Sequence, residues 1–514
     1  MISAQSLVAR DEQGVQFAAN ADGKRSTTAI SQHVLASALQ AVDSQGAVAI
    51  RREGDWRKRY GRHFLAMVRA GVERSDDAMI AMATRGLDAV HGAFEFLRDD
   101  DQLAPRIALE RYGQDTLRTG ELMGEGARQR EFTVPYGDQV LAGDALRQQI
   151  DRWQSQGILE PTAAHALHEV CAHQHEWLDL RDQQIALLGA GAELGPFECL
   201  SAWGADLIAV DIDRPAIWQR LFTLARSGAG RLRYPLREAV AADASDAARS
   251  QAAGADLLLM TPEVTTWLAA IEGPMCVGAY GYMHGRDHVR LEVAMDAVME
   301  HLTAKRLDVS LAFLLTPSDV FAVPEDAAAA ARQRYASHGL RNLWRKPLNA
   351  LTGGRLYVPN VADDVRAPSG SAYGLYDGIV PAQGPNYALA KHIQKWRALH
   401  ARAQGVRVSA NVAPSTATAS VLARRAFGAA FAGAAHYGVE IFAPATSNAL
   451  MAALLVHDLR AAETAADPTL ALSHPSVLFT DKAVHGGLWR IGVQLRSVLE
   501  IAALRGMLKA SPQR

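Results

Sequence analysis

The sequence predicts an α/β protein: a doubly wound parallel sheet within residues 181–514, a mainly helical region over 1–180, and an insertion at about 320–383. Three observations predict it. From residue 184, short apolar runs alternate with helical patterns: "QIALLGAG", "DLIAVDI", "ADLLLM", "MCVGAY", "VSLAFLL" and "VRVSANVA" read as strands. Short apolar strands separated by helices pair in parallel and are covered on both faces. Before residue 184, apolar residues recur mostly at helical spacing. Between about 320 and 383 the alternation stops in a stretch rich in Gly, Pro, Asn and Asp. An excursion of that length is functional or mobile more often than idle.

The elements follow in order. "ISQHVLASALQAVDS", "WRKRYGRHFLAMVRAG" and "SDDAMIAMATRGLDAVHGAFEFLR" each carry an apolar helical stripe. "EFTVPYGDQVLAGDALRQQIDRWQSQG" reads as a short extended piece and a helix, and "EPTAAHALHEVCAHQHEWLDL" as a helix capped by Thr162. No fixed repeat is present. The chain of 514 residues calls for two or more packed units. With 49% hydrophobic and 21% charged residues it has the composition of a soluble globular protein. A net charge of -2 (53 basic against 55 acidic residues) and the lack of a basic stripe speak against nucleic acid as a partner. Three separated cysteines, Cys171, Cys199 and Cys276, suit a reducing cytosol. The N-terminus has charges where a signal peptide needs an apolar run, and no apolar segment reaches the roughly 20 residues of a membrane span. The amphipathic C-terminal "GGLWRIGVQLRSVLEIAALRGMLKA" offers a surface for lipid or for a second copy in a homo-oligomer, though packing on its own core is the simpler expectation.

"LLGAGAELGPFECLSAWGADLIAVDID" carries the first chemical signal. Gly189, Gly191 and Gly195 lie between a buried strand and a helix, where backbone approaches a pyrophosphate and helix N–H groups face it. Asp211 ends the next strand, where a carboxylate accepts from a ribose diol. That acid repels a ribose phosphate, so NAD(H) is favoured over NADP(H), and Arg214 weakens the preference. S-adenosylmethionine in a methyltransferase would use a similar loop. Such a fold usually adds a carboxylate at the end of the first strand, where this chain has Leu187 and Leu188.

The second signal is "GPNYALAKHIQKWRALHARAQGVRVSANVAPSTATAS". Tyr387 and Lys391, four apart on a helix, project side by side. A neighbouring ammonium favours phenolate and would lower the tyrosine pKa from about 10, making an acid/base of it.

Together these stretches resemble the short-chain dehydrogenase/reductase superfamily, in a divergent form covering about 184–490. "LLGAGAELG" is similar to its first strand and glycine turn, Gly189 and Gly195 matching and Glu193 standing at the usual middle glycine, beside Leu194. The resemblance places Asp211 and Ile212 at the ribose, Asp243 of "ADASD" at the adenine, and Met260 of "ADLLLM" after a fourth strand whose usual Asn-Asn-Ala-Gly is replaced by Met260-Thr261-Pro262-Glu263. "DVSLAFLLTPSD" resembles the fifth strand, ending in a catalytic serine at Ser318 with Thr316 as understudy. "YALAK" supplies the Tyr-x-x-x-Lys pair. Pro414, Ser415 and Thr416 match the turn that touches the nicotinamide, Ser415 in place of a glycine. "SNALMAALLVHDL" and "VLFTDKAVHGGLWR" look like the last helix and the final strand with paired glycines, Gly486 and Gly487. The family's helix asparagine has no match, and His284 or His288 is the stand-in.

What the resemblance implies is hydride transfer between nicotinamide and a carbonyl or secondary alcohol. Tyr387 is the acid/base, Lys391 its electrostatic partner and ribose ligand, and Ser318 the holder of the substrate oxygen. The rival expectations are the methyltransferase and a cofactor-binding fold without catalysis. His165, His168, Cys171, His173 and His175 crowd one helix, but no second ligand group accompanies them, so no metal is expected. The Trp, Tyr and Leu residues of 343–376 would line an apolar substrate pocket or form the insertion's own core.

Overall fold

The computed structural model describes residues 13–241, 243–337, 347, 349–352, 355–422, 433–498 and 500–501. Seven strands make the central sheet: β1 (Arg118–Met123), β2 (Gln184–Leu188), β3 (Asp206–Val210), β4 (Arg231–Leu236), β5 (Met275–Ala279), β6 (Val309–Leu315) and β7 (Val408–Val412). Their order is β7-β6-β5-β2-β3-β4-β1, and all neighbours are parallel except β4 and β1. The molecule is thus α/β, with a mostly parallel sheet flanked by helices. The chain runs outward from β2 through β3 to β4, then resumes on the other side of β2 with β5, β6 and β7.

The principal helices are α1 (Trp56–Glu73), α2 (Asp76–Gly92), α3 (Pro161–Trp177), α4 (Pro215–Ser227), α5 (Leu257–Ala269), α6 (Arg286–Lys305), α7 (Gly384–Ala403) and α8 (Pro444–Arg460). Alternation along the strands sorts them into two layers. Ala186, Leu188, Ile208, Val210, Val277 and Ala279 join the core that includes α2, α5, α6 and α7. Ile185, Leu187, Leu207 and Ala209 point the other way, into a core with α3, α4 and α8. The region before residue 180 belongs to both cores and also supplies β1. Among the described residues, no helix is long and apolar enough to cross a membrane.

Several sequence expectations are corrected. "ADLLLM" is not a strand but the approach to and first turn of α5, started by Asp256, whose side chain accepts from Leu258 N at 3.0 Å. An apolar run of six residues does not distinguish strand from helix, and here a cap decides. The third parallel strand in chain order, β4 "RLRYPL", alternates Arg with apolar residues, and the fourth is β5 "MCVGA". "VLFTDKAVHGGLWR" is a four-residue helix, Val477–Thr480, followed by turns in which Lys482, Gly486 and Gly487 have positive φ. Thr162 does not cap α3; its hydroxyl accepts from Lys482 N at 3.0 Å. The insertion holds an antiparallel sheet of Val320–Pro324, Ala372–Asp377 and Asp364–Arg366, with Ala372–Asp377 in the middle. Its Tyr373 packs in a small core with Ala322, Val365 and Leu375, and Tyr376 lies against Trp489, so these rings are used as core. Trp344 and the C-terminal helix pattern beyond 501 lie outside the described residues.

Candidate functional site

The glycine turn sits where the strand order reverses. Gly189 has φ +89°, and a Cβ there would lie 2.3 Å from Gly281 Cα, in the chain leaving β5. Only glycine allows both the left-handed backbone and that approach. A Cβ on Gly191 would meet Ile217 at 2.7 Å and Asp211 Oδ2 at 3.0 Å. Gly195 is less confined and leads into a short helix, Phe197–Ala202. Asp211, just past β3, is committed to the turn: Oδ2 accepts from Gly191 N at 2.7 Å and Oδ1 from Ile212 N at 2.8 Å. Burial raises its pKa, against the pull of those N–H groups and of Arg220 and Arg214. The Arg220 guanidinium also donates to the Gly191 carbonyl.

The turn is bracketed from the far side. Glu193 accepts from Ala419 N at 2.9 and 3.1 Å, and Asn448 of α8 donates to the Glu193 carbonyl at 3.0 Å. Pro414, Ser415 and Thr416 follow β7, with the Thr416 hydroxyl turned back onto the Pro414 carbonyl at 3.0 Å and the Ser415 carbonyl accepting from Phe442 N. A narrow cleft of about 10 Å³ runs between Gly195, Pro196, Tyr280, Leu314, Asn411 and Asn448. Leu194 is half-buried, and Asp243 is exposed in the turn after β4. Met260 lies at a kink inside α5 (φ -122°, ψ 27°), so it does not end a strand.

Beyond β6 the predicted catalytic residues come together. The Tyr387 phenol lies within electrostatic reach of the Thr316 and Ser318 hydroxyls, whose own oxygens are 2.8 Å apart. β6 delivers the two hydroxyls, and the first turn of α7 delivers the phenol. Lys391 Nζ lies 5.9 Å from the Tyr387 ring centre and donates to Gln394 Oε1 at 3.0 Å and the Leu314 carbonyl at 3.5 Å. One electrostatic expectation is reversed. Burial pushes the Tyr387 phenol up to about 12, against the pull of the Thr316 and Ser318 hydroxyls, and Lys391 is not among the largest influences on it. Burial also lowers Lys391, against the attraction of Glu292 and Asp319.

Glu292 and Gln394 escaped the sequence reading. Glu292 of α6 is buried and its Oε1 accepts from Gln394 Nε2 at 2.7 Å, so Lys391, Gln394 and Glu292 form one chain. Burial raises the Glu292 carboxyl. The available signal was His288 and Glu292 four apart on a helix. His288 stacks on Tyr387 at 5.5 Å and is held well below the usual histidine range by burial and then Lys391; neither ring nitrogen has a hydrogen-bond partner among the described residues. His284 sits outside, 3.2 Å from the Tyr282 hydroxyl.

The histidines of α3 find other uses: His168 pairs with Asp151 at 2.8 Å and His173 stacks on Trp177 at 4.8 Å. Among the described residues no three metal-ligating side chains converge. Searches against protein-family models and curated proteins return no match to this chain.

Proposed function

We propose that the chain is an oxidoreductase of the short-chain dehydrogenase/reductase type, interconverting a carbonyl and an alcohol with a nicotinamide dinucleotide. The observation that carries this reading is the convergence of Tyr387, Ser318 and Thr316 hydroxyls at the carboxyl end of β6, on the same edge of the sheet as the glycine turn. The strand order supports it. Counting only the parallel strands it is 3-2-1-4-5-6, the order of the doubly wound Rossmann fold, whose ligand lies at the reversal point.

The residues fit such a dinucleotide. Gly189 and Gly191 let the turn close tightly on Gly281, Ile217 and Asp211, and Asp211 keeps free lone pairs for a ribose diol after accepting its two N–H groups. Arg214 and Arg220 both act on Asp211, so the preference for NAD(H) over NADP(H) is modest. Glu193 occupies the mouth of the turn and must leave Ala419 N as a pyrophosphate enters. When bound, the dinucleotide supplies or accepts the hydride. Ser318 and Thr316 then hold the substrate oxygen, replacing part of their bond to each other. Tyr387, protonated at neutral pH, donates its proton to that oxygen in the reducing direction. Lys391, through Gln394 and Glu292, positions charge beneath the phenol.

The test is a panel of small, mainly apolar carbonyls and alcohols followed by NADH absorbance, with Tyr387→Phe as control. Turnover that falls about 10²–10⁴-fold in the variant supports the reading. Turnover undiminished by the substitution removes the mechanism.

A further inference from the structure

Tyr282 stands beside the Tyr387 cluster and has no part in the chemistry proposed there. It follows Gly281, against which the glycine turn closes at Gly189, and its ring centre is 6.4 Å from that of Tyr387. The side chain is therefore placed between the glycine turn and the phenol. Its ring is pinned from two sides, at a steep angle to buried His288 at 4.9 Å and to His284 at 5.2 Å, with its hydroxyl 3.2 Å from His284 Nδ1. Even so, Tyr282 stays 51% exposed, and among the described residues it is the one Phe, Trp or Tyr more than about a third exposed.

A lone exposed ring elsewhere on the surface would need no explanation. This one borders the gap between the proposed dinucleotide and the proposed proton donor, and it is held in one orientation. His288 is buried and stacks on Tyr387, so of the three rings Tyr282 offers the most surface to a ligand. A fixed aromatic face favours a flat, unsaturated partner over a puckered one of the same size. We propose that Tyr282 is the specificity-determining residue of this site and that the substrates are aryl carbonyls, whose ring stacks on Tyr282 while the carbonyl oxygen meets Ser318 and Tyr387. The assignment rests on the carbonyl chemistry proposed above and gives it a substrate class.

Two ketones test it: acetophenone, and cyclohexyl methyl ketone, of similar size but without a flat ring. In NADH-dependent reduction, the ratio of kcat/KM for the first over the second should fall about tenfold in Tyr282→Ala, mainly through KM, and be kept in Tyr282→Phe. A ratio unchanged in Tyr282→Ala would overturn the assignment and leave the oxidoreductase reading standing. Saturation-transfer NMR of acetophenone with NAD+ present reads the stacking without turnover, since neither molecule has a hydride to give. Saturation that reaches the acetophenone ring protons in the unaltered protein and in Tyr282→Phe, but not in Tyr282→Ala, supports the platform; if no turnover accompanies it, the oxidoreductase reading alone fails. No saturation in the unaltered protein, or as much in Tyr282→Ala, overturns the assignment whatever the turnover.

Discussion

Tyr387 is enclosed by hydroxyls and a buried imidazole, and that enclosure decides its chemistry. With its phenol pushed up to about 12 by burial, it stays protonated across neutral pH and serves carbonyl reduction as an acid. Under the proposed mechanism, the rate of carbonyl reduction should be flat through neutral pH as far as this group is concerned, falling only in strong alkali as the phenol ionises. A pH profile of kcat for NADH-dependent reduction checks it; a rise toward alkaline pH would mean that phenolate is the working form. The spacing of Tyr387 and Lys391 and the position of Ser318 were legible, because helical periodicity and strand ends are local facts. The direction of the pKa shift was not. It depends on the phenol being buried under α6, whose His288 stacks on it, and on Lys391 turning to Gln394, which no spacing rule records.

At the scale of elements, helices in the outer layers are tied by buried charge as well as by apolar packing. Asp296 of α6 accepts from Arg397 of α7 at 2.7 and 2.9 Å and pairs with His91 of α2 at 2.7 Å. Arg397→Ala leaves that carboxylate buried with the histidine alone and should cost about 3–5 kcal/mol in urea unfolding. Arg397→Met together with Asp296→Leu should recover most of it; a double variant as unstable as the single would show that packing, not charge, is at stake. Strands β2, β3, β5, β6 and β7 were readable as short, mostly apolar runs. β4 was not, because Arg231 and Arg233 interrupt it to pair with Asp206 of β3. β1, with Arg118 and Glu121 among its residues, hid for the same reason: an edge strand needs only one apolar face.

Over the whole molecule, the region before residue 180 and the chain after it share their cores. Glu160, just before α3, accepts from His485 at 2.8 Å and from Arg490 at 2.8 and 2.6 Å, and Arg490 reaches Asp326 as well. Burial alone would raise the Glu160 carboxyl, but those hydrogen bonds hold it at about 2, below its ordinary 4.5. A depressed folded-state pKa gives stability that is present above about pH 4.5 and lost as pH falls through about 2, here about 3 kcal/mol. Acid unfolding of Glu160→Gln should lack that increment; curves of equal steepness would exclude Glu160 as the source. A chain cut to 181–514 should fail to melt cooperatively by circular dichroism, since it exposes the faces that α2 and α3 cover. The central claim, a nicotinamide dinucleotide on the glycine turn, is tested most directly by thermal unfolding with NADH or S-adenosylmethionine, in the unaltered protein and in Asp211→Ala. NADH should stabilise the unaltered protein by about 2.7 kcal/mol at a hundredfold excess over its Kd, and the variant far less. Stabilisation by S-adenosylmethionine with none by NADH, or an equal NADH effect in the variant, would contradict it.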